Sequence, residues 1–208
     1  MELIKQEVEL LNKQDYESVV RLVEQSGRTC YQSKRSDTLE GAEKFIQNLI
    51  NAGHESVVEH FNITLLLTTS RNITHQIVRH RLASYSQMST RYVNQTKNGL
   101  QVIEPELDEQ GMHEFNKSVE FAERQYNTLK DMGYRNDLAR EVLPGSIATE
   151  LVMTMNVREL RHFLRVRCDK ASHYQIRELA KMILEEVYNA YPCFFEDIYE
   201  SVLTGEAE

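Results

Sequence analysis

Three side chains that carry or can carry positive charge stand in consecutive positions at Arg79, His80 and Arg81, and a further arginine follows at Arg91. Between them runs Leu82-Ala83-Ser84-Tyr85-Ser86-Gln87-Met88-Ser89-Thr90, a stretch of small and hydroxyl-bearing residues bracketed by cationic ends. A guanidinium fork binds phosphate bidentately and stays charged in a protein, while serine, threonine and glutamine offer neutral hydrogen bonds to a polar ring. The combination suits a bound phosphate-bearing molecule. From Phe61 to Ile103 there is no aspartate or glutamate, yet Arg71, Arg79, Arg81, Arg91 and Lys97 fall inside that window of a chain whose net charge is −8. Adjacent positive groups repel one another. Relief must come from acids distant in the sequence, from solvation of a turn, or from an anionic ligand.

The surplus of acids argues against a general nucleic-acid binder, which needs basic surface to release phosphate counterions. Neither GxGxxG nor GxxxxGK[ST] occurs among the eight glycines, so a nucleotide would be held by side chains and not by a glycine-rich loop. His54, His60, His75 and His80 match no standard ligand spacing and the acid-free window offers no carboxylate, so no metal site is expected. A non-catalytic nucleotide or RNA binder and a metal hydrolase remain open as readings of these residues alone. Cys30, Cys168 and Cys193 are odd in number, form no CxxC pair and read as small apolar residues in a reducing compartment. No apolar run approaches the ~20 residues of a membrane helix, so a cytoplasmic protein without membrane contact is expected.

The elements that must position these residues follow from periodicity. At 208 residues, with 41% apolar and 27% charged residues, the chain is expected to form one domain over residues 1–208. Gln6 to Leu11 reads as a first strand, and Tyr16 to Gln25 and Thr38 to Asn51 as amphipathic helices. Phe61 to Leu67 is β-branched and apolar enough for a strand with a buried face; Ser70 then caps a short helix through Ile73, Ile77 and Val78 into Arg79. Met112 to Met132 is the longest helical pattern, stopped by Gly133. Pro144-Gly145 breaks the chain, Thr149 to Met155 reads as a strand, Asn156 caps a helix to about Arg167, and a last helix spans about Ser172 to Asn189. The class is α+β: helix-rich, around a small, mostly antiparallel sheet.

The stretch from Arg79 to Arg91 resembles the signature of the flavin-dependent thymidylate synthases, RHR, seven residues, then serine, or RHRxxSxNxxSxR in longer form. Arg79, His80, Arg81 and Ser89 meet the short pattern, and only Ser86 departs from the long one, standing where asparagine is usual. Gly53-His54-Glu55-Ser56-Val57-Val58-Glu59-His60 resembles the family's GHExxxEH segment. Arg140 before Leu143-Pro144, Asn156-Val157-Arg158, and the run ending at Arg167 resemble its carboxy-terminal half. On a helix, Leu160 and Leu164 share a stripe with residue 167, so an arginine is expected at a buried position, where it needs a carboxylate or a substrate as partner. Arg158, His162 and Arg165 form a separate face, on which Arg165 reads as solvated.

That resemblance implies a homotetramer with sites at subunit interfaces, binding FAD and methylating dUMP at C5 to dTMP, with methylenetetrahydrofolate as carbon donor and NADPH as reductant. It places FAD against His54, Ser56, Glu59, Arg79, His80, Arg81, Gln87, Asn156, Arg158 and His162, the last standing where asparagine is common. It places dUMP against Gln76, Arg79, Gln87, Met88, Ser89, Thr90, Arg91, Arg140 and Arg167. Arg167 and Ser89 are the candidate catalytic residues: Arg167 to stabilise charge developing on the pyrimidine, Ser89 to orient substrate or to attack it.

Overall fold

The computed structural model describes residues 1–204, so the last four residues of the expected 1–208 domain lie outside the described residues. In chain order come strands β1 (Glu2–Ile4) and β2 (Glu7–Leu10), helices α1 (Tyr16–Tyr31) and α2 (Leu39–Asn51), strand β3 (Asn62–Ser70), helix α3 (Arg71–Ile77), and strands β4 (Ala83–Gln87) and β5 (Gln101–Ile103). They are followed by helices α4 (Glu109–Asp131) and α5 (Asn136–Ala139), strand β6 (Ala148–Asn156), and helices α6 (Val157–Arg167), α7 (Tyr174–Ala190) and α8 (Glu196–Tyr199). Tight 3-10 segments occupy Glu55–His60, Arg140–Val142 and Pro192–Phe194. Helices dominate and the sheet is small and mostly antiparallel, as expected. Four strands are ordered β2-β3-β6-β4, and β1 pairs in parallel with β5, Glu2 opposite Gln101 and Ile4 opposite Ile103.

Local signals explain most boundaries. Ser70 ends β3 and caps α3, its hydroxyl accepting from Ile73 N–H at 3.3 Å; Asn156 ends β6 and caps α6, accepting from Glu159 N–H at 2.9 Å. Gly133, just past α4, has φ of 88°, a conformation open to glycine and strained for other residues. Burial alternates along β3 through Ile63, Leu65 and Leu67 and along β6 through Leu151, Met153 and Met155.

Several expectations need correction. The strand at Glu7–Leu10 is the second, because β1 precedes it; β3 runs on to Ser70 and α1 to Tyr31; α7 starts at Tyr174 with His173 as its cap. β4 lies inside the Arg79–Arg91 stretch, where Ala-Ser-Tyr-Ser-Gln shows no apolar alternation. Backbone pairing, not hydrophobicity, defines that region: Met88 N–H, just past β4, donates to Glu150 C=O at 2.9 Å. Cys168 and Cys193 are buried as read, whereas Cys30 is exposed on α1.

Contacts group the chain into two compact units. The first comprises Met1–Glu7, Leu67–Arg79 and Ser86–Leu151; the second comprises Val8–Leu66, His80–Tyr85 and the chain from Val152 onward. Within the first, Leu100, Val102, Val119 and Ile147 form a cluster against which Met1, Leu3, Phe115 and Leu143 pack. In the second, α1 packs on α2 at Gly27, where an added Cβ would lie 2.8 Å from Phe45 and 2.9 Å from Leu49, so only glycine fits without displacement. There too α6 packs on α7 and on Glu55–His60, and Phe61 meets Tyr191 edge to face at 4.9 Å.

The buried arginine of α6 is Arg161, not Arg167. Val157, Leu160, Arg161, Leu164 and Cys168 face inward at 3.6-residue spacing; Arg167 falls at the margin of that stripe and is half-buried. Arg161 is fully buried and meets Asp197 through two bonds of 2.8 Å, Glu55 at 3.4 Å, and the carbonyl of Phe194. Arg165, read as solvated, joins the same network, reaching Glu55 at 3.1 Å and Asp197 at 3.2 Å. The bidentate pairing holds the Asp197 carboxyl below its usual range despite burial, which works against it. Replacing Arg161 with methionine leaves two carboxylates facing Arg165 alone. Its unfolding free energy in urea melts is expected to fall by about 3 kcal/mol.

Candidate active site

In the second unit the candidate residues gather around His80. Its ring is buried, lies 4.9 Å from Phe163 edge to face and 5.6 Å from His162, and its Nδ1 stands 3.4 Å from Glu159 Oε1. Arg167 donates from Nε to His80 Nε2 at 3.1 Å. A guanidinium has only donors, so Nε2 must hold a lone pair and the ring is the neutral Nδ1–H tautomer, its proton toward Glu159. Burial, with Arg167 and His162 beside it, pushes the His80 pKa down to about 4. Glu159 pulls the other way, but a protonated ring could not accept from Arg167, so the neutral form prevails. Tyr85, its phenol pushed up to about 12 by burial, donates to His80 C=O at 2.6 Å and ties the end of β4 back to the signature.

The repulsion expected of three consecutive cations is therefore relieved in two ways. His80 is buried and neutral against a carboxylate distant in sequence, and Arg79 and Arg81 are exposed to solvent. Arg158 and His162 share the exposed face of α6. Arg158 pairs with Glu59 at 2.6 Å, which raises its pKa, so two residues expected at the flavin meet each other. His54 Nδ1 is 2.9 Å from the Tyr31 hydroxyl, Ser56 is exposed, and Glu55 is committed to Arg161 and Arg165. Asn156 holds its carbonyl oxygen on the α6 cap.

The first unit holds the other set. Arg140 donates from Nη1 to Thr90 Oγ1 at 3.1 Å and lies 3.4 Å from Glu141, and both Arg140 and Thr90 line a cleft of about 280 Å³ with Arg71 and His75. Gln87 points inward from β4 and donates to Thr74 Oγ1 at 3.0 Å and Thr149 Oγ1 at 3.3 Å, while Ser86 faces out. Ser89 Oγ accepts from Arg91 N–H at 3.3 Å, and its carbonyl accepts from Tyr92 and Val93 N–H, making a turn that leaves Arg91 exposed. Gln76 and Met88 are half-buried, and Arg79 ends this unit's second stretch.

A family described as thymidylate synthase complementing protein matches residues 10–193 of this chain. The chain belongs to that family. A flavin-dependent thymidylate synthase of Geobacter sulfurreducens is 35% identical over 201 residues, covering 92% of this chain and 85% of the relative. Proteins of the same name from Mycolicibacterium vanbaalenii, 33% identical over 93% of this chain and 85% of the relative, and Clostridium tetani, 34% identical over 80% of this chain and 74% of the relative, are similar too.

In this member of the thymidylate synthase complementing protein family, the stretch around His80 is bound together by three residues that sequence reasoning did not single out. Glu159 and Tyr85 fix the His80 ring and backbone, and Phe163 covers the ring. Glu159 stood in the sequence only as an acid between Arg158 and Arg161. Tyr85 carried none, since its partner is a backbone carbonyl. Arg71 was legible only as a charge in the acid-free window and His75 only as a histidine without metal-ligand spacing, yet α3 sets them one turn apart on the cleft. No group of three histidine, cysteine, aspartate or glutamate side chains suited to a metal ion occurs among the described residues, and none of their helices is long and apolar enough to cross a membrane.

His80 makes a pH prediction. Its folded pKa, about 4, lies below the ordinary value of 6.5, so the unfolded chain takes up more protons between those pH values. The His80 contribution to stability is full above pH 6.5 and is lost as acid is added through pH 4. Denaturant melts of the wild type against His80→Gln should show a smaller loss of stability in the variant between pH 7 and 4.5, and NMR should find the His80 ring neutral at pH 5.

Proposed function

We propose that this chain is a flavin-dependent thymidylate synthase that replaces the hydrogen at C5 of dUMP with a methyl group, forming dTMP. Carbon would come from methylenetetrahydrofolate and reducing equivalents from NADPH through FAD. The observation that carries the reading is the Arg167 to His80 bond at 3.1 Å, which anchors a half-buried guanidinium on a neutral ring of the family signature. A cation held by a neutral group in a partly desolvated place is suited to negative charge that develops on a substrate.

The residues present fit a flavin. Arg81, Arg158, His54, His162 and Ser56 are exposed donors of the second unit, able to meet diphosphate oxygens and the polar edge of the ring without a glycine-rich loop. The Asn156 amide nitrogen is the part of that side chain its cap does not use. The Arg158 to Glu59 pair is exposed, and such pairs contribute only about 0–1 kcal/mol, so a ligand can rearrange it. FAD supplies the hydride relay when bound. For dUMP, Arg91, Arg140 and Thr90 would take the phosphate, with Gln76, Gln87, Met88 and Ser89 positioning the rest. Among the described residues no base lies within hydrogen-bond distance of Ser89 Oγ, which favours orientation of substrate over nucleophilic attack.

We further propose one catalytic domain over residues 1–208, a cytoplasmic location and a homotetramer. Each compact unit is assembled from stretches separated in sequence, which favours one domain. Exposed Leu82, Tyr92, Val93, Tyr134 and Leu138 are apolar side chains that subunit contacts would cover.

Protein incubated with FAD and desalted should keep a visible flavin band that shifts on titration with dUMP. Arg167→Ala should keep the band and lower dTMP formation by ~10²-fold. A folded protein that retains no flavin overturns the reading and leaves an anion-binding protein in its place.

A further inference from the structure

Glu159 is the third residue of α6, and with Asn156 as cap it has the spacing of a capping box. Asn156 makes its half of that motif, accepting from Glu159 N–H at 2.9 Å. The Glu159 carboxylate is buried and stands 3.4 Å from His80 Nδ1. Its cationic neighbours on the helix are engaged elsewhere, Arg158 with Glu59 at 2.6 Å and Arg161 with Asp197 and Glu55. The first turn of a helix favours negative charge, which suits a carboxylate placed there. One turn further along α6, Phe163 meets the His80 ring edge to face at 4.9 Å, so a single helix face holds both the ring and the charge beside it.

At 3.4 Å the carboxylate is farther from Nδ1 than a well-formed hydrogen bond, and it acts on the imidazole mainly through its field. A neutral imidazole carries N–H on one nitrogen and a lone pair on the other. Beside a carboxylate, a lone pair on Nδ1 is repelled and an N–H is attracted, so the proton is held at Nδ1 and the lone pair falls on Nε2. Arg167 donates from Nε to that lone pair at 3.1 Å. The opposite tautomer would set N–H against N–H. Because the Nε–H bond lies in the plane of the rigid guanidinium fork, a hydrogen bond at Nε restricts how that plane can turn and where its two NH2 groups point.

We propose that Glu159 is a positioning residue for the reaction: by fixing the His80 tautomer it sets the direction in which Arg167 presents its guanidinium to the substrate. This rests on the synthase reading above, in which Arg167 meets negative charge developing on the pyrimidine. The role needs no contact between Glu159 and substrate, and no proton moves along the chain Glu159, His80, Arg167. It also separates Glu159 from an ordinary capping residue, whose loss would weaken α6 without redirecting Arg167.

Nitrogen NMR of the His80 ring in ligand-free protein reads the tautomer, and dTMP formation by FAD-loaded protein reads its consequence. Glu159→Gln, which keeps the shape of the side chain, should bring in the Nε2–H tautomer and lower kcat about tenfold, with KM for dUMP changing less than kcat and flavin retained. Glu159→Asp, which keeps the charge, should recover part of the rate. The double variant Glu159→Gln, Arg167→Ala should be no slower than Arg167→Ala alone, because a residue acting through Arg167 has nothing further to lose. Losses that multiply in the double variant would overturn the proposal. So would a Glu159→Gln protein whose ring stays protonated at Nδ1, whether its rate is unchanged or falls together with flavin retention, the latter being the mark of a capping role. Wild-type protein that forms no dTMP while its tautomer still depends on Glu159 would sink the synthase reading and leave the orientation of Arg167 by Glu159 standing.

Discussion

A guanidinium with no solvent around it is tolerated only if its donors are all met, and Arg161 imposes that requirement on three separated parts of the chain. Glu55 must come from the segment after α2, Asp197 from the last helices, and a carbonyl from Phe194. Once those partners are in place, the 3-10 turn at Glu55–His60 is locked against α6. Glu59 is then held beside Arg158, and His54 and Ser56 are carried into the same region as His162. Of the candidate flavin residues of the second unit, His54, Ser56, Glu59, Arg81, Arg158 and His162 are exposed, whereas His80 is buried and Asn156 half-buried.

The same logic, inverted, governs His80. A buried imidazole between an arginine and a glutamate could in principle take either charge state, and burial together with Arg167 decides for the neutral one. Neutrality lets a histidine lie within a run of cations and lets it receive a hydrogen bond from a guanidinium. Arg167 gains direction from that bond without any change in its own charge. In the first unit the cations are handled differently. Arg71 and Arg140 face a common cleft, where Arg140 meets Thr90 and the exposed Glu141.

Much was legible in the sequence because it depends on near neighbours. Ser70 and Asn156 act as caps because each is a short acceptor just before a helix, and Gly133 ends α4 because the chain there turns left-handed. The alternation of β3 and β6 and the amphipathic spacing of α1, α2 and α6 are likewise local, and the RHR signature with its serine is a linear pattern. From these the α+β class, the family and the candidate residues followed.

What the tertiary structure alone decided is partnership. Whether Arg161 or Arg167 is the buried arginine turns on how far α6 is rotated against α7, a matter of packing that a stripe of leucines constrains only to within a residue or so. That the exposed Arg165 is also paired, that Glu59 meets Arg158, and that His80 is neutral all depend on side chains tens of residues apart. β4 forms from a polar segment because a neighbouring strand offers backbone hydrogen bonds, which no property of Ala83–Gln87 announces. Arg71 shares a cleft with Arg140 only because α3 sets it there. The sequence specified the chemical groups and their local geometry; long-range packing and desolvation determined which of them are charged, which are paired and which face a ligand.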